Sequence, residues 1–130
     1  MFISTIPNEK VIPAQSSEPI SPYGGNRLEF YDAAPGVVMV GSNDIVIDQG
    51  DTSYINVETL VWAPEHYNIK LGFWNVRTTT VYTKTISGGN KSNVAYSYTG
   101  IPAGTYRVCV INTGSTLLTT GYMKYTVSFG

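Results

Sequence analysis

Nucleophilic catalysis needs a base within hydrogen-bond reach of the attacking group, and this chain of 130 residues holds one histidine and one cysteine. His66 lies in Ala63-Pro64-Glu65-His66-Tyr67, a turn between two apolar runs, and reads as a solvated loop histidine. Cys109 lies in Tyr106-Arg107-Val108-Cys109-Val110-Ile111, a run that reads as a strand, where a thiol serves as a small buried apolar group. There is no Gly-x-Ser-x-Gly elbow. A single cysteine also excludes an intramolecular disulfide and a cysteine-based zinc site. Asp44, Asp48, Asp51, Glu58 and Glu65 could supply paired carboxylates for glycosidase chemistry, but they read as solvated turn and strand-face acids. Asp44, Asp48 and Asp51 cluster near one turn with Asn43 and Gln49, an oxygen-rich group of the kind that holds calcium; the spacing matches no EF-hand. Gly88-Gly89-Asn90-Lys91-Ser92 lacks the phosphate-loop spacing and precedes another strand-like run, which predicts a hairpin turn. The reading is of a protein without catalytic function, metal or cofactor.

Surface recognition remains, and the aromatic residues are its candidates. Trp62, Trp74, Tyr82, Tyr96 and Tyr98 all fall on strand-like runs, where rings can stack on sugars or anchor a protein. Trp62 and Trp74 are in register opposite to the inward sets of their own runs, which places both on the other face as a platform. A bulge or twist would instead turn them into the edge of the core.

Composition narrows the partners. Charged residues make up 13% of the chain and the formal net charge is −1, with eight Lys and Arg spread from Lys10 to Lys124. Such a chain offers no basic footprint for nucleic acid or an anionic membrane. Its longest apolar stretches, Val37 to Val40 and Ile69 to Trp74, fall far short of the roughly 18 residues of a membrane span. Residues 1–30 show no basic start followed by an apolar run, so no signal peptide is read there. A neutral surface built from Thr, Ser, Asn and Tyr points to an extracellular or cell-surface module.

The elements that would position these side chains are strands. Residues 1–25 carry Pro7, Pro13, Pro19 and Pro22 and read as an extended N-terminal arm rather than a folded element. From residue 26 to 130, short apolar or alternating runs are separated by turn residues, predicting strands at 27–31, 37–40, 44–48, 54–62, 67–76, 80–86, 92–98, 105–112 and 122–129. Alternation predicts that Met123, Tyr125, Val127 and Phe129 point inward, as do Ile55, Val57 and Val61, and Ile69, Leu71 and Phe73. The run 106–111 is apolar on nearly both faces, which predicts a central strand. No segment has a helical period. The fold class is therefore all-β: a two-sheet antiparallel β-sandwich, jelly-roll-like or immunoglobulin-like, with an extended N-terminal arm.

The segment Gly100-Ile101-Pro102-Ala103-Gly104-Thr105-Tyr106-Arg107-Val108-Cys109-Val110-Ile111-Asn112, with the later Tyr122 to Val127 strand, resembles the end of secreted bacterial sandwich domains. The pre-peptidase C-terminal family and several carbohydrate-binding modules place a similar Pro-small-Gly-Thr-Tyr turn before a central strand, with the tyrosine over the sheet edge. The resemblance spans roughly residues 54–129. It implies an exported accessory or structural domain and identifies no ligand. The acidic metal-ligand pattern of many such modules is missing here.

In the arm, Phe2, Ile3, Ile6, Val11, Ile12 and Ile20 are apolar anchors that could add a strand to, or plug, a neighbouring sandwich. The leading expectation is a self-assembling surface or appendage subunit, forming a homo-oligomer or filament through its arm. The alternative is a carbohydrate-binding module with a glycan on the aromatic platform.

Overall fold

Turn residues at Pro35-Gly36, Gly50-Asp51, Gly88-Gly89 and Ala103-Gly104 cut the chain into short strands whose alternating apolar sets must be buried against one another. The computed structural model describes residues 1–14, 16–19 and 26–130, with 16–19 as backbone. The strands are β1 (Phe2–Thr5), β2 (Val11–Pro13), β3 (Ser16–Pro19), β4 (Asn26–Ala33), β5 (Val38–Val40), β6 (Ile45–Ile47), β7 (Ser53–Ala63), β8 (Ile69–Asn75), β9 (Thr80–Ile86), β10 (Lys91–Tyr98), β11 (Gly104–Asn112) and β12 (Leu118–Phe129). One 3-10 turn, Asn8–Lys10, lies between β1 and β2.

Two packed sheets result, so the all-β sandwich expected from the alternation is the observed architecture. The larger sheet runs β1-β9-β8-β11-β5-β2, with β6 also paired to β11; the smaller runs β10-β7-β12-β4-β3. Among the described strands every pairing is antiparallel except β2 with β5. The core between the sheets holds Phe30, Ile55, Leu60, Trp62, Leu71, Phe73, Tyr98, Tyr106, Val108 and Met123. Strand β11 is central in its sheet, and Tyr106, expected over the sheet edge, is fully buried there with its hydroxyl donating to Pro102 O at 2.7 Å.

One break in the alternation matters most. Lys124 lies opposite Thr59 and Tyr125 opposite Val57, so Glu58 is an extra residue in β7, a β-bulge. Downstream of it the face inverts: Leu60 and Trp62 point into the core and Val61 points out, the reverse of the expected set. The segment Gly88-Gly89-Asn90 is also no hairpin. It carries the chain from β9 in one sheet to β10 in the other, and both glycines adopt positive φ, 82° and 86°.

The arm is built into the sandwich. Strand β1 pairs with β9, β2 with β5 and β3 with β4, so the arm supplies three of the four strands that end the two sheets. Extended, proline-bearing chain suits that place, because an outermost strand has an unpaired side; Pro13 and Pro19 each close their strand. Between β1 and β2 the chain passes from one edge of the larger sheet to the other, with Ile6 and Val11 packed on a second apolar cluster: Val38, Val40, Val81, Cys109 and Ile111. All five are buried on the outer face. Each fully buried side chain of this kind contributes about 1.5–3 kcal/mol. Uncovering two of them would thus remove a large part of the about 5–15 kcal/mol that holds a domain together.

Candidate functional site

The expected aromatic platform does not form, and the reason differs from ring to ring. Trp62 is 3% exposed, turned inward by the Glu58 bulge, and its indole Nε1–H donates to Tyr67 O at 2.7 Å. Tyr98 is buried with its hydroxyl donating to Leu71 O, and Tyr82 is buried with its ring 5.9 Å from that of Tyr106. Phe73 joins the group, 5.2 Å from Tyr98 and 6.5 Å from Tyr106 in edge-on contacts. Burial raises the phenol pKa of Tyr98, Tyr82 and Tyr96 above the ordinary value. Tyr96 is partly buried against the core, whereas Trp74 lies on the outer face of the larger sheet beside the second cluster. The platform residues are thus divided among the core and a face partly covered by the arm.

The chemistry-bearing residues are dispersed. His66 is exposed, its ring 4.2 Å from that of Tyr67. Cys109 is fully buried beneath the arm, and burial pushes its thiol pKa up, away from the reactive thiolate. Asp44 pairs with Arg107 at 2.8 Å, while Asp51 accepts the backbone N–H of Asp48 at 3.4 Å within a turn. Among the described residues no three His, Cys, Asp or Glu side chains form a group able to hold a metal ion. At the bulge in the smaller sheet lies a depression of about 340 Å³ lined by Asn56, Glu58, Asn93 and Lys124 together with Val94 and Ala95, with Glu58 and Lys124 paired at 3.3 Å.

Two features remain on opposite sides of the sandwich. The first is the arm's tip. Phe2 is 52% and Ile3 61% exposed, although β1 is held in place by β9. The Lys70 ammonium stands 4.2 Å from the Phe2 ring centroid. Beside β1, across the sandwich, lies β10: Lys84 of β9 reaches within 5.3 Å of the Tyr98 ring. The second is a groove of about 350 Å³ between the sheets, lined by Asn26, Asn43 and Asp44 as well as by Ile45, Val46, Val127 and Phe129. Phe129 faces inward as expected but lies 45% exposed, and Val46 is 64% exposed. Of the arm's expected anchors, Phe2 and Ile3 form the tip, Ile6 and Val11 sit on the second cluster, and Ile12 packs on the main core. Ile20 lies outside the described residues.

Charge is unevenly ordered along the chain. All nine acids precede residue 66, alongside only Lys10 and Arg27, giving residues 1–65 a formal charge of −7; residues 66–130 hold six Lys and Arg and no acid, giving +6. Folding mixes the halves in part, since Arg107 pairs with Asp44 and Lys124 with Glu58. Strands β8, β9 and β10 bring Lys70, Lys84 and Lys91 to the side of β1. Among the described residues none of Lys70, Lys84 and Lys91 is in an ion pair. The total charge hides this order along the chain, which is visible in the sequence once the halves are counted apart.

No protein-family model matches the chain, and no curated protein matches it. Among the described residues no helix is long and apolar enough to cross a membrane.

Proposed function

We propose that this protein is a non-catalytic structural and interaction protein of the cell exterior that assembles with copies of itself through its N-terminal arm. The carrying observation is β1: every one of its residues is exposed, Phe2 and Ile3 among them, yet it is fixed at a sheet edge by β9 and anchored by Ile6 and Val11. Edge strands of monomers are ordinarily blunted by charge, proline or a bulge, and β1 has none of these. An apolar strand presented in this way suits a partner surface. The neutral, Thr- and Tyr-rich composition and the resemblance of residues 100–112 to secreted accessory sandwiches support the extracellular setting. The glycan alternative has no exposed ring left among Trp62, Tyr82 and Tyr98.

The test compares the full chain with one lacking residues 1–5, which keeps Ile6 and Val11 on the second cluster. Light scattering coupled to gel filtration should show the full chain rising above its 14.2 kDa single-chain mass with concentration, and the shortened chain staying at one chain. Cys109 should resist maleimide equally in both, reporting that the rest of the arm is still docked. If both proteins remain single chains up to millimolar concentration, the reading fails.

A further inference from the structure

We propose that two copies join edge to edge through β1, antiparallel about a two-fold axis, so that their larger sheets run on as one. This inference rests on the proposed self-assembly and names both the surface that receives the arm and the symmetry of the contact. The first observation is the direction of the backbone groups. Strand β1 is the outermost strand of its sheet and pairs with β9 on one side. Thr5 lies opposite Thr80, and one step further along the Ile6 N–H donates to Thr79 O at 3.1 Å. Because bonded pairs alternate along an antiparallel ladder, Ser4 and Phe2 also turn their N–H and C=O groups to β9. Those of Ile3 and Thr5 therefore point to the other side of the strand, where all four residues of β1 are exposed.

The second observation is which edges could receive it. Strands β2 and β3 close on Pro13 and Pro19, while β10 starts on Lys91 and carries the irregularity at Asn93, with φ 52°. Proline, charge and broken register are what keep an edge strand from pairing. Of the four strands that end the two sheets, β1 alone lacks all three, so the edge that matches it is another β1. The third observation is register. Opposed residues of an antiparallel pair share a face, and setting Ile3 opposite Ile3 meets that condition, with Phe2 opposite Ser4 and Met1 opposite Thr5. The outward groups of Ile3 and Thr5 then find partners, and no charged side chain of β1 is brought against its like. Ile3, 61% exposed in one copy, packs on its mate on one face, and Phe2 lies beside Ser4 on the other. Such a contact is isologous and occupies β1 of both copies, so assembly closes at two chains instead of extending into a filament.

The experiment uses the full chain and three full-length variants. By gel filtration with light scattering the parent should reach twice its 14.2 kDa single-chain mass and stop there. Ile3→Pro removes an N–H that points away from β9, so β1 keeps its place in the sheet. Each pair of copies loses two hydrogen bonds and should associate about tenfold or more weakly than the parent. Unchanged circular dichroism and unchanged resistance of the buried Cys109 to maleimide report that fold and arm are intact. Ile3→Cys sets two thiols opposite each other, and mild oxidation should link it into a covalent pair. Ser4→Cys, displaced along the strand from its mate, should link far more slowly. Growth beyond two chains, an Ile3→Pro chain that associates like the parent, or Ser4→Cys linking as readily as Ile3→Cys would overturn the edge pairing. If removal of residues 1–5 still abolishes association in that case, the proposed function stands without it. A parent that stays a single chain up to millimolar concentration overturns both.

Discussion

Tyr98, Tyr125 and Cys109 are neutral acids held away from water. Burial raises the pKa of each above its ordinary value, 10.0 for the phenols and 9.0 for the thiol. The folded chain therefore favours the protonated forms more than the unfolded chain does. Stability from these groups is complete below the unfolded values and is lost as pH rises through and beyond them, because unfolding then releases protons. The melting temperature should stay level between about pH 6 and about pH 8.5 and fall above about pH 9 to 10. Calorimetry across that range checks it, and a level melting temperature up to pH 11 would mean that these groups already reach water. The burial of Cys109 was legible in its apolar neighbours. The fate of Trp62 was not, because its direction depends on a residue four positions upstream and on the strand across from it.

That residue acts at the scale of the element. Nine strands were legible from alternation and turn residues, and each is present with shifts of a few residues at most, since period-two burial and glycine or proline punctuation are local properties. The bulge at Glu58 is a property of a strand pair, arising where β12 and β10 must both stay in register with β7. Asn93, opposite it in β10, takes φ 52° at the same irregularity. Deleting Glu58 removes the extra residue and leaves Tyr125 opposite Val57 and Leu60 opposite Met123, so Leu60 and Trp62 keep their inward face while the mismatch passes to Asn93 of β10. We expect such a protein to fold with its core intact and to be destabilised by about 1–3 kcal/mol through the strained pairing with β10. Glu58→Ala keeps the residue count and should cost less than about 1 kcal/mol, the scale of the exposed pair with Lys124. Denaturant midpoints of the two variants separate backbone count from side-chain chemistry.

At the scale of the molecule, a formal net charge of −1 conceals a separation of −7 in the first half and +6 in the second. Interleaving of the halves could have mixed these charges. They do meet at two points, Arg107 with Asp44 and Lys124 with Glu58, while among the described residues Lys70, Lys84 and Lys91 are outside ion pairs. Self-association through the arm that draws on Lys70 beside Phe2 should weaken as salt rises, since the screening length falls from about 10 Å at 0.1 M to about 3 Å at 1 M. Association measured by sedimentation between about 0.05 and 0.5 M sodium chloride should decline steadily. Strengthening with salt would instead point to a contact governed by apolar burial alone.

Sequence by itself determined the all-β class, the nine body strands and the central place of residues 106–111, because these follow from residue type and local period. It also contained the division of charge, which is a matter of order along the chain. Only the tertiary structure decided which way Trp62 faces, and that the arm closes three sheet ends and covers Cys109. Each of those depends on register and packing between segments distant in sequence, which no single stretch of residues specifies.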